Sequence, residues 1–280
     1  MPSENKIWFI TGVSSGLGRA LAEHAALEGN TVIGTLRQER QIPPFDNLVK
    51  GKTYGVKTDV THPDEIRDTV HSALERFGRI DVLVNNAGYG LLGAIEEVDI
   101  AEAREQLETN FFGMFLVIKA VLPVMRKQQS GHIVQISSGG GFHAAPGMGF
   151  YNASKFAMEG FSEALALEVE PFHISVTIVE PSPLRTQFAS TSSKRARTKI
   201  PDYAGTAGKL IDIIHLNSGK QDGDPRKAAA VVFHAVNDPH PPLHLPLGNF
   251  ALGEIRSKIE SIEKDISRWR DVITSITYDE

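Results

Sequence analysis

Short runs of consecutive apolar residues alternate along the chain with longer stretches in which apolar positions recur every three or four residues. The runs at Ile7 to Ile10, Thr31 to Leu36, Thr53 to Lys57, Ile80 to Val84, His132 to Ile136 and Ile174 to Val179 read as strands. A shorter run at Leu243 to Leu247 brings the number to about seven. Several are apolar on both faces, as a strand covered on both sides requires. The intervening stretches Gly16 to Glu28, Pro63 to Phe77, Ile100 to Lys127, Tyr151 to Glu170 and Pro225 to Asn237 read as helices. Asp64 and Glu65 fall in the first turn of the second, where the helix dipole favours acids, and Pro123 should bend or tighten the third. Strand–helix alternation of this kind predicts an α/β fold: a doubly wound parallel sheet with helices on both faces. No repeat and no Gly/Ser linker interrupts it, so one domain over residues 1–280 is expected.

Two stretches leave the pattern. Residues 187–224 are polar and rich in Gly and Ser, yet contain Tyr203 and an apolar patch from Leu210 to Leu216. They read as an insertion with some helix, suited to a lid over a substrate. In the C-terminal extension, 251–280, Leu252, Ile255, Ile259, Ile262, Ile266 and Trp269 recur at alternating steps of three and four, which is an amphipathic helix. Docking on the body of the domain is its expected role; a dimer contact or a cap over the site are the alternatives.

Composition narrows the chemistry. The chain has 41% hydrophobic residues and a formal net charge of −5, which suits a soluble globular protein and gives no general attraction for nucleic acid or anionic lipid. Its 280 residues include no cysteine, which removes disulfides, thiolate catalysis and sulfur-ligated metals. The polar stretch Met1 to Lys6 lacks the apolar segment of a signal peptide, and no apolar run approaches a membrane span, so a cytoplasmic location is the default expectation.

The first strand runs into Thr11-Gly12-Val13-Ser14-Ser15-Gly16-Leu17-Gly18 and then into a helix. At such a strand-to-helix turn a pyrophosphate can rest on backbone N–H groups and the positive end of the helix dipole, with no side chain to block it. Taken alone, the pattern fits either a structural turn or the dinucleotide site of a Rossmann-type sheet; its companions below favour the second. Folds that prefer NAD place an acid at the end of the second strand. Here Leu36 is neutral and Arg37 can pair with a 2′-phosphate, so NADP(H) is favoured. Asp59 and Val60, beyond the third strand, are positioned for the adenine.

Tyr151 and Lys155 sit at i and i+4 at the start of a helix and emerge on one face, where an ammonium can stabilise a phenolate. Ser138 follows the fifth strand and is separated from them by the glycine bend Gly139 to Gly141, which can fold the hydroxyl back toward the phenol. Asn85-Asn86-Ala87-Gly88 closes the fourth strand at the sheet edge where ligands of open α/β folds bind, and Asn110 lies inside the long third helix.

These five signals, in this order, resemble the short-chain dehydrogenase/reductase family, in its compact single-domain branch, over nearly all of residues 6 to 250. The resemblance implies an oxidoreductase that moves a hydride between NADP(H) and a carbonyl/alcohol pair. It implies that Tyr151 is the general acid/base, that Ser138 orients the substrate oxygen, and that Lys155 binds the nicotinamide ribose and lowers the Tyr151 pKa. Asn110 would anchor a water linking Lys155 to solvent. Gly12, Ser14, Ser15, Gly16, Leu17, Gly18, Asn86, Ala87 and Gly88 would line the cofactor, with Pro181, Ser182 and Thr186 beside the nicotinamide. The run Pro181-Ser182-Pro183-Leu184-Arg185-Thr186 departs from the family's usual Pro-Gly, which stiffens that loop. A nucleotide-sensing protein without turnover, and an epimerase or dehydratase using the same tyrosine and lysine, are the rival readings.

Phe142, His143, Met148, Phe150, Leu184 and Phe188 flank the motifs and predict an apolar pocket for a medium-sized hydrophobic ketone or aldehyde. His240 and His244 bracket Pro241-Pro242-Leu243, and a metal on that pair is opposed by the prolines, so none is expected. The family resemblance also implies a homodimer or homotetramer joined through the two long helices.

Overall fold

The computed structural model describes residues 5–190 and 192–278. Met1 to Glu4, within the stretch read above for a leader, lie outside the described residues.

Seven strands form one parallel sheet. They are β1 (Ile7–Ile10), β2 (Thr31–Leu36), β3 (Thr53–Lys57), β4 (Val82–Asn85), β6 (Gly131–Ile136), β7 (Ile174–Pro181) and β9 (His244–Leu247), in the spatial order β3-β2-β1-β4-β6-β7-β9. Two further short strands, β5 (Gly90–Leu92) and β8 (Ser193–Arg195), pair with each other in parallel outside it. The order reverses between β1 and β4, so the carboxyl ends of these two strands open a crevice at the switch point, where open α/β sheets bind ligands.

The apolar runs become strands because both faces are covered. On one face Trp8, Ile10, Val84 and Val134 pack with Leu17 and Leu21 of helix α1 (Gly16–Leu27) and with Ala229 and Val232 of α8 (Pro225–Val236). On the other, Phe9, Ile33, Leu83 and Ile133 meet α3 (Pro63–Phe77), α5 (Gly113–Gln128) and α6 (Gly149–Val169). Each fully buried large side chain contributes roughly 1.5–3 kcal/mol of transfer free energy.

Three differences from the sequence reading have physical causes. The fourth strand begins at Val82 rather than Ile80, because the Ile80 backbone is held at both its N–H and its C=O by the Gln128 side-chain amide. The long third helix is interrupted not at Pro123 but earlier: α4 (Ile100–Leu107) passes through a wide π-helical turn at Glu108–Phe112 into α5, and Pro123 lies within regular helix. That combined helix is also long and apolar enough to cross a membrane by length and composition, which the inspection of apolar runs did not anticipate. In the fold its Met114, Val117, Ile118 and Val121 are core residues against the sheet.

A short helix absent from the sequence reading, α2 (Ile42–Asp46), seats Phe45 in the core despite Pro43 and Pro44, since prolines are tolerated in a first helical turn. The insertion carries β8 and α7 (Lys209–Leu216). Helix α9 (Asn249–Thr274) touches the body only at its start, where Ala251 is buried; Ile259, Ile262, Ile266 and Trp269 stay 45–51% exposed. Docking of the whole helix on the domain is therefore corrected.

Candidate active site

At the end of β1 the chain turns through Gly12 and Gly16, both with positive φ (72° and 62°), a region that glycine alone enters freely. Thr11, fully buried, organises the junction with β4. Its Oγ1 accepts hydrogen bonds from the Asn86 and Ala87 N–H groups at 2.9 and 3.0 Å, while the Asn86 amide donates to the Thr11 and Gly12 carbonyls, both at 2.9 Å. Asn86 thus turns its side chain into the loop. A Cβ on Gly12 would lie 2.9 Å from the Ala87 backbone, and one on Gly18 2.3 Å from the Asn86 amide nitrogen and 2.7 Å from the Gly12 carbonyl. Gly18→Ala is expected to destabilise the fold by about 1–3 kcal/mol, because the Gly12 carbonyl is backbone and the Asn86 amide is held by its two hydrogen bonds. Urea unfolding checks this, and an unchanged midpoint would contradict it.

Helix α1 begins at Gly16 with Ser15 as its N-cap, whose side chain makes no capping bond. Its first-turn N–H groups are the orphan donors of a helix start and point into the crevice with Ser14 beside them, a donor set suited to a pyrophosphate. Leu17 and Gly18 are buried behind. Leu36 is buried at the end of β2 and Arg37 is exposed next to it. The Arg37 charge acts on both Asp59 and Tyr89. Burial works to raise the Asp59 pKa, but hydrogen bonds from Thr61 and the nearby His62 and Arg37 charges outweigh it and hold the carboxyl below the usual range. Burial beside Glu105 pushes the Tyr89 phenol up to about 12 despite Arg37. Val60 is buried under α5, its Cγ2 only 2.8 Å from where a Gly113 Cβ would be. Glycine cradle and free helix start together fit the pyrophosphate of a dinucleotide.

Tyr151, Lys155 and Ser138 come together across the crevice. Tyr151 and Lys155 are buried one turn apart on α6, with the ammonium 6.0 Å from the phenol ring centre. Ser138 is hydrogen-bonded to the phenol and also accepts from the Gly140 N–H at 3.0 Å. Asn152 pins the glycine bend between them: its amide donates to the Gly140 carbonyl at 2.7 Å and its oxygen accepts from Ala145 at 3.2 Å. Burial pushes the Tyr151 phenol up to about 12, and the Ser138 bond offsets it only in part. Lys155 donates to the Ile136 carbonyl at 2.7 Å, and burial lowers its pKa to about 8, against the opposing pull of Glu159. The Lys155 ammonium is directed at the end of β6, beside the phenol ring.

Asn110 explains the π-helical turn. Fully buried, it accepts from the Tyr89 N–H and donates to the Tyr89 carbonyl, both at 3.0 Å, and donates to Ser154 at 3.1 Å. Its Oδ1 lies 3.0 Å from where a Gly88 Cβ would be, which fixes Gly88 as a glycine. Such local widenings of a helix recur at functional sites because they re-aim one side chain.

The loop after β7 closes over the site. Thr186 lies across the glycine turn, its side chain 3.5 Å from the position of a Gly16 Cβ. The Phe188 ring leans on Tyr151 with ring centres 5.3 Å apart and also covers Gly90. Other residues assigned to the ligands go elsewhere. Ser182, assigned to the cofactor, turns its hydroxyl to accept from the Ala251 N–H at 2.9 Å, tying Pro181 and the loop to α9. Leu184, assigned to the substrate, packs against the core and bridges Gly223. His143 pairs with Glu254 of α9 at 2.7 Å rather than facing the phenol. Phe142, Met148 and Phe150 are half-buried around the bend.

Behind Lys155 lies a network that spacing could not reveal. Glu159, one turn further along α6, accepts a short hydrogen bond from Ser137; burial raises its pKa to about 7. Glu180 of β7 is buried and accepts from His244 at 2.8 Å, with the Glu159 carboxylate 3.8 Å from the same ring nitrogen. His244 is therefore a strand residue against two buried carboxylates, not one half of a His240 pair.

The short chain dehydrogenase family profile matches residues 6–197. The chain is 40% identical over 268 residues to the oxidoreductase BOA17 of Botryotinia fuckeliana, covering 95% of this chain and 97% of that one. It is 41% identical over 244 residues to the 3-ketodihydrosphingosine reductase of Bacteroides thetaiotaomicron, covering 87% and 88%. Its fold is similar to that of a short-chain dehydrogenase from Streptomyces avermitilis, with a TM-score of 0.91, 37% identity, and 99% and 100% of the two chains covered.

Proposed function

Because the chain belongs to the short-chain dehydrogenase/reductase family, whose members bind a nicotinamide cofactor, we propose that it transfers a hydride between NADP(H) and a hydrophobic ketone or aldehyde. The observation that carries this reading is the meeting of the Ser138 hydroxyl, the Tyr151 phenol and the Lys155 ammonium at the crevice that also holds the glycine turn. When bound, the nicotinamide supplies or accepts the hydride. The protein's own groups handle the proton and the orientation. Ser138 donates to the substrate oxygen and holds it against Tyr151, whose phenol, protonated at neutral pH, gives its proton to the oxygen as reduction proceeds. Lys155 keeps a positive charge behind the phenol and offers donors to the ribose hydroxyls. Asn110 supports that side of the site through Tyr89 and Ser154.

Substrate class follows from the lining. Phe188 against Tyr151, with Phe142 and Met148 beyond the bend, offers aromatic and thioether surface. The Bacteroides relative is named for reduction of 3-ketodihydrosphingosine, which supports a ketone with an apolar body. Purified protein mixed with a panel of such ketones and aldehydes should oxidise NADPH. Failure of every member with both NADPH and NADH would contradict the reading.

Cofactor choice rests on Leu36 and Arg37. Removing a charged hydrogen-bond partner costs about 1.5–3 kcal/mol, so Arg37→Ala should weaken NADPH binding by roughly 10–100-fold and leave NADH nearly unchanged. Fluorescence titration of both nucleotides measures this; equal losses for the two would sink the assignment.

A further inference from the structure

Helix α9 carries a regular seam that the body leaves uncovered. Leu252, Ile259, Ile266 and Ile273 occupy one position of a seven-residue repeat, and Ile255, Ile262 and Trp269 the other, with strict three–four spacing. A strict repeat of seven supports a left-handed coiled coil, and a stripe this narrow is a helix–helix seam rather than the broad apolar face of a surface-lying helix. Only the first turns meet the domain, through buried Ala251 and the Glu254 contact with His143. From residue 257 to the helix end, roughly 27 Å at 1.5 Å per residue, the seam faces solvent, and a lone helix of that length is marginal in water. The remaining surface has Arg256, Lys258, Lys264, Arg268 and Arg270 against Glu260, Glu263, Asp265 and Asp271, a balance that gives no net pull toward an anionic surface.

The charges flanking the seam choose the occupant and its direction. In a parallel coiled coil the residue before one core position faces, on the other strand, the residue five places later. Here Lys258 would face Glu263 of the second copy, and Asp265 would face Arg270, so both pairs are opposite in charge and each occurs twice across a two-fold axis. Among the described residues none of these four charges has an ion pair within its own chain. An antiparallel pair covering the same seam sets Glu263 against Glu263 and Asp265 against Asp265. Sliding it by one repeat restores opposite charges, but leaves Ile273 bare and drives Trp269 onto Leu252, where α9 meets the body.

We propose that α9 is a self-association element: residues 255–273 zip in parallel register onto the same segment of a second copy of this chain. The assembly surface is thereby the C-terminal helix rather than, or in addition to, the two long helices of the body. Isoleucine at both seam positions admits further strands in the same parallel arrangement, and the solution mass reads how many. The absence of native cysteine makes register directly measurable. In full-length protein, Ile273→Cys should form a disulfide-linked dimer under mild oxidation, since parallel strands bring the two 273 positions together, whereas the outward Asp271→Cys should not. The double variant Ile262→Lys/Ile266→Lys, in an exposed stretch remote from the core, should keep the thermal transition of the wild type while its light-scattering mass falls at least twofold. The proposal is overturned by a wild-type mass of one chain, by an unchanged mass in the double variant, or by failure of Ile273→Cys to link. A single-chain wild type that co-sediments with phosphatidylserine-containing vesicles would also overturn it, in favour of a lipid surface.

Discussion

Replacing Tyr151 by phenylalanine is expected to lower ketone reduction by about 10²–10⁴-fold, the range over which a positioned acid contributes, while nucleotide affinity stays within a factor of about three. The phenol is hydrogen-bonded to Ser138 and protonated throughout the neutral range. Phenylalanine keeps the ring that leans on Phe188, so the fold around it has no reason to rearrange. The pH behaviour follows from the same burial. Because the phenol is pushed up to about 12, it is competent to donate across neutral pH, and the reverse oxidation, which needs the phenolate, should speed up as pH rises toward that value. Initial rates in both directions check the sign. A variant with wild-type turnover would remove Tyr151 from the chemistry.

Lys155→Met should remove reduction by on the order of 10²-fold, and it should also change how stability depends on pH. Folding lowers the ammonium pKa from 10.5 to about 8 through burial, so the folded state binds fewer protons than the unfolded state between those values. Stability therefore rises with pH across that window, and the charge's cost is fully present below about 8. At roughly 1.4 kcal/mol per pKa unit, the wild type should gain on the order of 3 kcal/mol relative to the methionine variant between neutral pH and pH about 10. Urea unfolding of both proteins at the two pH values gives the difference. Parallel stability curves would mean that the ammonium is not held charged in a dry site. Wild-type reduction should decline above about pH 8 as Lys155 loses its charge, and this decline should be missing in the variant.

What could be read from the sequence divides by range. The five inner strands were legible because each is a run buried on both sides, the half-buried edge strands β3 and β9 because they keep short apolar-rich runs, and the helices because their apolar period is helical. The strands β5 and β8 were not: Gly90–Leu92 and Ser193–Arg195 are three residues each, without alternation, and exist only because the insertion returns to pair with the crevice edge. Ser138, Tyr151 and Lys155 were legible because they lie within one βα unit, so their separation in sequence limits their separation in space. Glu159, Glu180 and His244 come from three different elements, and nothing in the spacing joins them; the nearest local clue is that Glu159 stands one turn beyond Lys155. Asn152 and Thr11 were passed over for the opposite reason. Each sits beside a residue with an obvious role, and its own function is to hold backbone: the glycine bend in one case, the β1–β4 junction in the other. Leu184 and His143 were assigned to the substrate from proximity in sequence, but the loop's bridge to Gly223 and the ion pair with Glu254 turn them away.

Transfer of deuterium from NADPH labelled at the nicotinamide C4 tests the central claim most directly. With a ketone that the protein accepts, the label should appear on the carbinol carbon of the alcohol in the wild type and be absent over the same interval in Tyr151→Phe. Nucleotide consumed without label reaching that carbon, or label transferred equally by both proteins, would contradict the account.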